Sequence, residues 1–290
     1  MPDPRPRYRR GERSDDPLGD RSARIVAARK LIRRSGREAS GAFLVEGPQS
    51  VREAVGSPQV VRELIVTSAA AHRHRDIVDA VTAIGRRVSI ASDGAVASLS
   101  ETTHPQGVVA VCATLDVPTA EALAGARLCC LLASVRDPGN AGTLLRCADA
   151  AGAGAVVFAG AAVDPYNGKC VRAGAGSHFH LPIARCADPI AAVTAARDAG
   201  LAVLAADGGG ETDLDDLADS GGLAGPTAWL FGNEAWGLPD ELAAAADLRV
   251  AIPIHGRAES LNLATAAAVC LYASARAHRK TRSGSGPGET

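Results

Sequence analysis

From about residue 128 onward the chain repeats one pattern: a short apolar run, a loop carrying Gly, Asn or Asp, then a stretch with helical spacing. The runs fall at 128–134, 155–159, 180–183, 201–205, 228–231 and 248–252. The helical stretches fall at 141–151, 190–199, 239–245 and 261–277. Near-continuous apolar strands need cover on both faces, so the pattern predicts a parallel sheet sandwiched between helices. Aromatic residues make up only 3% of the chain, so its core must rest on Ala, Val, Leu and Ile.

A smaller alternation precedes it. Helical spacing at 22–34, 49–55 and 76–84 is interleaved with strand-like runs at 42–46, 63–67, 88–90 and 107–114, predicting a small α/β domain. Residues 116–126, with Asp116, Pro118 and Gly125, read as a linker. Residues 1–20 and 280–290 carry too little apolar surface to offset their ordering entropy and read as disordered tails. The expected layout is a basic tail at 1–20, a small domain at 21–115, a linker at 116–126, a larger domain at 127–279 and a tail at 280–290.

The net charge of -1 hides an asymmetry. Residues 1–115 hold 18 basic and 13 acidic side chains, and residues 116–290 hold 13 and 19. The first 37 residues alone carry 12 basic against 5 acidic groups. A basic front end on a near-neutral chain suggests a polyanion contact at that end. No apolar run approaches the length of a membrane span, and the N-terminus has no apolar signal core. The seven Cys include no C-x-x-C pair, which disfavours a disulfide framework or a zinc site. A reduced, cytoplasmic protein with no metal and no membrane contact is expected.

Two glycine pairs, Gly152/Gly154 and Gly174/Gly176, invite a dinucleotide-binding reading. That fingerprint needs strand, glycines, then helix, so that a helix N-terminus faces the phosphates. Here the first pair follows a helix and precedes a strand, as a helix end and a turn would. The second pair also leads into an expected strand. A nicotinamide dehydrogenase is therefore disfavoured. Neither a P-loop nor a nucleophile elbow is present.

Three other segments carry chemistry. Asp137-Pro-Gly-Asn140-Ala-Gly142-Thr-Leu-Leu-Arg146 follows a strand and opens a helix, which Asn140 is expected to cap. Arg146 sits there in apolar company. Phe231-Gly232-Asn233-Glu234-Ala-Trp236-Gly237-Leu238-Pro239 runs from a strand end into a helix, with Gly232 permitting close backbone approach. Ile252-Pro-Ile254-His255-Gly256-Arg257-Ala-Glu259-Ser260-Leu261-Asn262 ends a strand and starts the last helix. Ser260 is the expected cap, with Asn262 just inside the helix, where Asn is unfavourable and suggests a tied loop or ligand.

Together these segments resemble the three motifs of the SpoU–TrmH family of RNA 2′-O-ribose methyltransferases, within the SPOUT superfamily, over residues 127–277. The family's N-x-G-x-x-x-R is met by Asn140, Gly142 and Arg146, its G-N-E motif from Leu230 to Leu238, and its I-P-[MI]-x-G-x-x-x-S-L-N from Ile252 to Asn262. The front unit, through Phe43-Leu-Val-Glu46-Gly47 and Gln106-Gly107-Val-Val-Ala, resembles the ribosomal-protein-like substrate-binding domain of many members. It departs from them at His104-Pro105, where a Pro separates His from Gln-Gly.

The resemblance implies an α/β fold of two domains, the second holding a trefoil knot that binds S-adenosyl-L-methionine. It implies a homodimer acting on RNA. Gly232, Ile252, Leu261 and Asn262 would hold the cofactor. Asn140, Arg146, Glu234, Ser260 and Asn262 would form the catalytic set. A guanidinium keeps its proton in proteins, so Arg146 fits a phosphate anchor that also stabilises developing alkoxide charge. The two-domain layout favours ribosomal RNA, with tRNA as the alternative substrate and a non-catalytic RNA binder as the alternative class. Tyr8, Phe43 and Tyr166 are the candidate base-stacking residues.

Overall fold

The computed structural model describes residues 16–284. The front unit comprises α1 (Ala23–Lys30), α2 (Arg34–Ser40), β1 (Ala42–Glu46), α3 (Pro48–Val55), β2 (Val61–Thr67), α4 (Ser68–Arg73), α5 (Arg75–Ala83), β3 (Arg87–Ala91), α6 (Asp93–Ala97) and β4 (Val108–Ala113). Its sheet has the order β1-β4-β2-β3, antiparallel except where β2 meets β3. The expected helix over 22–34 ends at Lys30, and after the extended Arg33 a second helix, α2, begins at its last residue, Arg34.

The rest of the chain runs through α7 (Thr119–Leu123), β5 (Leu128–Ala133), α8 (Pro138–Ala150), β6 (Ala155–Ala159), α9 (Gly168–Gly174) and β7 (Ile183–Cys186). It continues through α10 (Pro189–Asp198), β8 (Ala202–Ala206), β9 (Thr212–Asp213), α11 (Leu214–Asp219), β10 (Thr227–Phe231), α12 (Asp240–Ala244), β11 (Leu248–Ala251) and α13 (Leu263–Gly284). The seven strands form one sheet, β7-β6-β5-β10-β8-β11-β9, with every pairing parallel.

Two-sided burial explains the apolar strands. Along β5, Leu128, Cys130 and Leu132 face the α8 and α13 layer, where Leu144, Leu145, Ala267 and Leu271 pack. Cys129, Leu131 and Ala133 face the α10 and α12 layer with Val193 and Leu242. A side-chain period of two thus sends alternate residues into two cores. Burial pushes the Cys112, Cys129 and Cys270 thiols up to about 12, so these cysteines serve as small apolar residues.

Several expected boundaries move. Residues 116–126 are packed: α7 buries Ala122 and Leu123, and the Val117 N–H donates to the Ile183 carbonyl at 3.0 Å. The strand expected at 180–183 starts at Ile183, because a turn of 3-10 helix at Ser177–Phe179 precedes it. Gly174 ends α9, an element with no counterpart in the expected pattern. Residues 280–284, expected in a tail, continue α13. Likewise, Leu18 pairs with Ala91 inside the expected front tail. Residues 1–15 and 285–290 lie outside the described residues.

Candidate active site

After β5 the chain passes through α8 to β6 on one side, whereas β10 lies on the other side of β5. Strand order therefore diverges at the β5–β10 pair. In open parallel sheets, ligands bind at the carboxyl ends of the strands beside such a point. Here the loops after β5, β8, β10 and β11 converge at that end. The last three surround an open cleft of about 260 Å³, lined by Asp207, Gly232, Glu234, Ile252, Ser260 and Leu261 among others.

Backbone and side-chain bonds join the loops. Asn233 is buried; its Nδ2 donates to the Ser134 carbonyl at 2.8 Å, where the chain leaves β5 with a left-handed φ of 55°. Asn233 and Gly237 exchange both backbone hydrogen bonds, closing a tight hairpin with Glu234 and Trp236 at its tip. A Cβ on Gly232 would run into the Gly237 backbone, so this approach requires glycine.

Glu234 reaches back across the cleft edge. Its Oε2 accepts from the Arg136 N–H at 3.1 Å, and its Oε1 from the Asp137 N–H at 3.0 Å and from Asn140 Nδ2 at 3.3 Å. Partial burial opposes its charge, but the backbone N–H groups of Glu234, Arg136 and Asp137 and the Asn140 amide outweigh it. Together they hold the carboxyl below the ordinary glutamate value. Asn140 Oδ1 in turn accepts from Asn262 Nδ2 at 3.0 Å. One chain of bonds, Glu234–Asn140–Asn262, thus connects all three motif loops.

Two caps differ from expectation. Asp137 caps α8: its Oδ1 accepts from the Asn140 N–H at 2.8 Å, with Pro138 in the first turn. Asn140 lies inside the helix, and its side chain is free to reach Glu234 and Asn262. Lys169 of α9 donates to Asp137 Oδ2 at 2.9 Å, and that bond leads the effects lowering the Asp137 pKa. At the last helix Asn262, not Ser260, is the cap; its Oδ1 accepts from the Ala264 and Thr265 N–H groups. Its placement at the boundary removes the propensity conflict. Ser260 and Leu261 remain in the exposed loop that walls the cleft.

Arg146 stands apart. It lies six residues beyond Asn140 along α8, about 9 Å at helical rise. It is exposed, does not line the cleft, and makes no hydrogen bond or ion pair among the described residues. The structure therefore gathers Gly232, Glu234, Ile252, Ser260 and Leu261 around the cleft and joins Asn140 and Asn262 at its edge, with Arg146 on the flanking helix.

The sequence profile of the SpoU rRNA Methylase family matches residues 127–272, half of the chain, and spans all three loops. The chain belongs to this family. The SpoU rRNA Methylase match is joined by one to an MRM3-like substrate binding domain over residues 22–110. As a member of this family, the chain is 35% identical over 244 residues to the 23S rRNA (guanosine(2553)-2'-O)-methyltransferase RlmP of Bacillus subtilis, covering 84% of this chain and 92% of that protein. It is 32% identical to the 23S rRNA (uridine(2479)-2'-O)-methyltransferase of Streptomyces viridochromogenes, across 96% of this chain and 99% of the relative. The AdoMet-bound rRNA methyltransferase from Sinorhizobium meliloti superposes with a TM-score of 0.76 at 30% identity, over 88% of this chain and 95% of that one.

Among the described residues no group of three or more His, Cys, Asp or Glu is placed to hold a metal ion. No helix in the same span is long and apolar enough to cross a membrane. Two of the expected stacking residues are not available: Phe43 and Tyr166 are buried against each other, ring centroids 4.7 Å apart; Tyr8 lies outside the described residues. Phe43 stands in an apolar strand, a signal that could have marked it as core. Trp236, passed over in the sequence, is exposed at the hairpin tip with Arg136 over its ring.

Proposed function

We propose that this protein transfers the methyl group of S-adenosyl-L-methionine to a ribose 2′-hydroxyl of ribosomal RNA. The observation that carries the reading is the Glu234–Asn140–Asn262 bond chain at the carboxyl ends of β5 and β10. It gives the three motif loops one fixed geometry beside a cleft. The names of the relatives, two of them 23S rRNA 2'-O-methyltransferases, support the acceptor.

The cleft suits the cofactor. Phe231, Ile252, Leu261 and Leu263 offer apolar wall for a purine, and Asp207, Glu234 and Glu259 place carboxylates around a cationic ligand. Gly232, Ile252, Leu261 and Asn262 would hold it, and when bound it supplies an activated methyl on a sulfonium. The protein's part is positioning. Glu234 and Asn140 hold the start of α8 against the β10 hairpin. Asn262 fixes the loop that carries Ser260, which orients the substrate. Arg146, with no internal partner, offers a free cation for the phosphate beside the target ribose and for the charge that develops as its hydroxyl reacts.

The same reading assigns the front unit, residues 21–115, to RNA binding. Lys30, Arg33 and Arg34 are exposed around the α1–α2 turn, and their phosphate contacts would weaken with salt. It also takes the C-terminal domain as knotted and the protein as a cytoplasmic homodimer. Val269 and Tyr272 are exposed on α13, which packs beside the Arg146 helix, and a second copy seated there would bring each cleft close to its partner.

The test is methyl transfer from labelled S-adenosyl-L-methionine to ribosomal RNA and to tRNA in parallel, followed by alkali digestion. An alkali-resistant labelled dinucleotide from ribosomal RNA is expected; label only in tRNA would overturn the substrate. Arg146→Ala should abolish transfer and leave cofactor affinity within about tenfold, roughly 1.4 kcal/mol. A larger loss of affinity would place Arg146 in the cofactor site instead.

A further inference from the structure

The chain holds two Trp, three Tyr and four Phe. Most are unavailable to a ligand. Phe43, Phe158, Phe231, Tyr166 and Trp229 are buried. Among the described residues only Trp236, 55% exposed, and Tyr272, 54% exposed, present large aromatic surface. Tyr272 lies within the long helix α13. Trp236 stands on the Asn233–Gly237 hairpin, two residues from Glu234 and beside Gly237, both of which line the cleft.

Trp236 is also coupled to its surroundings. The Arg136 guanidinium lies 4.9 Å from its ring centroid, within cation–π range. The Arg136 backbone N–H is one of the donors to Glu234. Arg136 is thus bonded through its backbone to the Glu234 carboxylate, and Trp236 stands on the hairpin that carries Glu234. An indole costs free energy when left in water, and this one is held in a defined place at the edge of the site. A flat ring backed on one face by a cation can offer its other face to a nucleobase, with the cation near that base's phosphate.

We propose that Trp236, backed by Arg136, is the stacking platform for an unpaired nucleobase of the RNA next to the target ribose, with Arg136 supplying a phosphate contact. The proposal rests on the RNA methyltransferase reading above. It adds a substrate-binding pair outside the three motifs' expected residues.

Stacking of one base on one ring is worth about five- to 150-fold in affinity. Trp236→Ala should therefore raise the KM for unmodified ribosomal RNA by about tenfold or more, with cofactor Kd within twofold of wild type. Trp236→Phe should keep most of the affinity, and Arg136→Gln should lose part of it. Binding can be read directly as well. Trp229 is buried, so RNA should quench the exposed component of tryptophan emission, and the quench should vanish in Trp236→Phe. An unchanged RNA KM in Trp236→Ala would overturn the proposal. So would an equal loss of cofactor affinity, or a change in sedimenting mass that makes Trp236 a subunit contact. If the wild-type protein transfers no methyl to ribosomal RNA, the enzymatic reading falls by itself. The platform then stands if RNA still quenches Trp236 and fails if it does not.

Discussion

Glu234 shows how one side chain can tie the loops of a site together. Two backbone N–H groups at the start of α8 and the Asn140 amide converge on its carboxylate. A glutamine there would keep one acceptor oxygen and turn an NH2 toward a backbone donor. Glu234→Gln should cost about 1–3 kcal/mol of stability, the usual penalty for an unsatisfied donor. It should also lower methyl transfer at saturating cofactor by more than tenfold, measured by urea unfolding and initial rates; a variant matching wild type in both would remove Glu234 from its role. The position of Glu234 was legible, because a strand running into Gly-Asn-Glu sets a carboxylate at a sheet's carboxyl end. The caps were less so. Asp137-Pro138 is a strong helix start, yet Asn140 competes for the same role by residue type alone. Only the fold shows that Asn140 is spent on Glu234 and Asn262, and that Asn262 caps α13.

Among the elements, β5, β6, β8 and β10 were readable because two-sided burial makes them almost wholly apolar, whereas β7 and β11 carry Arg185 and Arg249 and β9 is two polar residues. Element α9 was not readable. Its seven residues begin and end with Gly and have too short an apolar face for a period to show, so they pass for a glycine turn. Yet α9 explains Gly142, which the family motif names without a reason. A Cβ at position 142 would run into the Cys170 carbonyl oxygen and lie 2.8 Å from the Ala173 Cβ, so α8 and α9 could not stay in contact. Gly142→Ala should destabilise the protein by about 1–3 kcal/mol, the range for overpacking. Because α8 carries both Asn140 and Arg146, activity should fall more than stability alone explains when assayed well below the melting temperature. Thr143→Ala, on the exposed side of the same helix, is the control and should leave both nearly unchanged. An equal response at the two positions would show that α8–α9 contact is not what Gly142 preserves.

At the scale of the whole molecule, the two units pack so that each completes the other. Tyr166 and Val171 of the second unit lie in the core of the first, beside Phe43 and Val45. The Tyr166 hydroxyl donates to Asp116 Oδ1 at 3.1 Å and accepts from the Leu115 N–H at 2.7 Å, which pins the supposed linker. Arg172 of α9 pairs with Glu46 of β1 at 3.4 Å. Deepest is Arg37, which bonds Asp164 at 2.7 Å with both side chains 5% exposed, and also donates to the Leu31 and Ile32 carbonyls. No local pattern could reveal this, since Arg37 stands among basic residues and its partner is 127 positions away. Counted by composition it belongs to an RNA-facing cluster, but in the fold its charge is consumed internally. Removing one partner of a buried pair strands the other, so Arg37→Ala should cost about 3–5 kcal/mol. Replacing both together, Arg37→Met with Asp164→Leu, removes both charges and should recover much of that loss. If the two residues acted independently of each other, the double variant would lose as much as the sum of the singles in urea unfolding. If the pair fixes how the units dock, the double variant should be more stable than Arg37→Ala and still bind cofactor. Its KM for RNA should rise, because the basic α1–α2 turn would no longer be held at a set distance from the cleft.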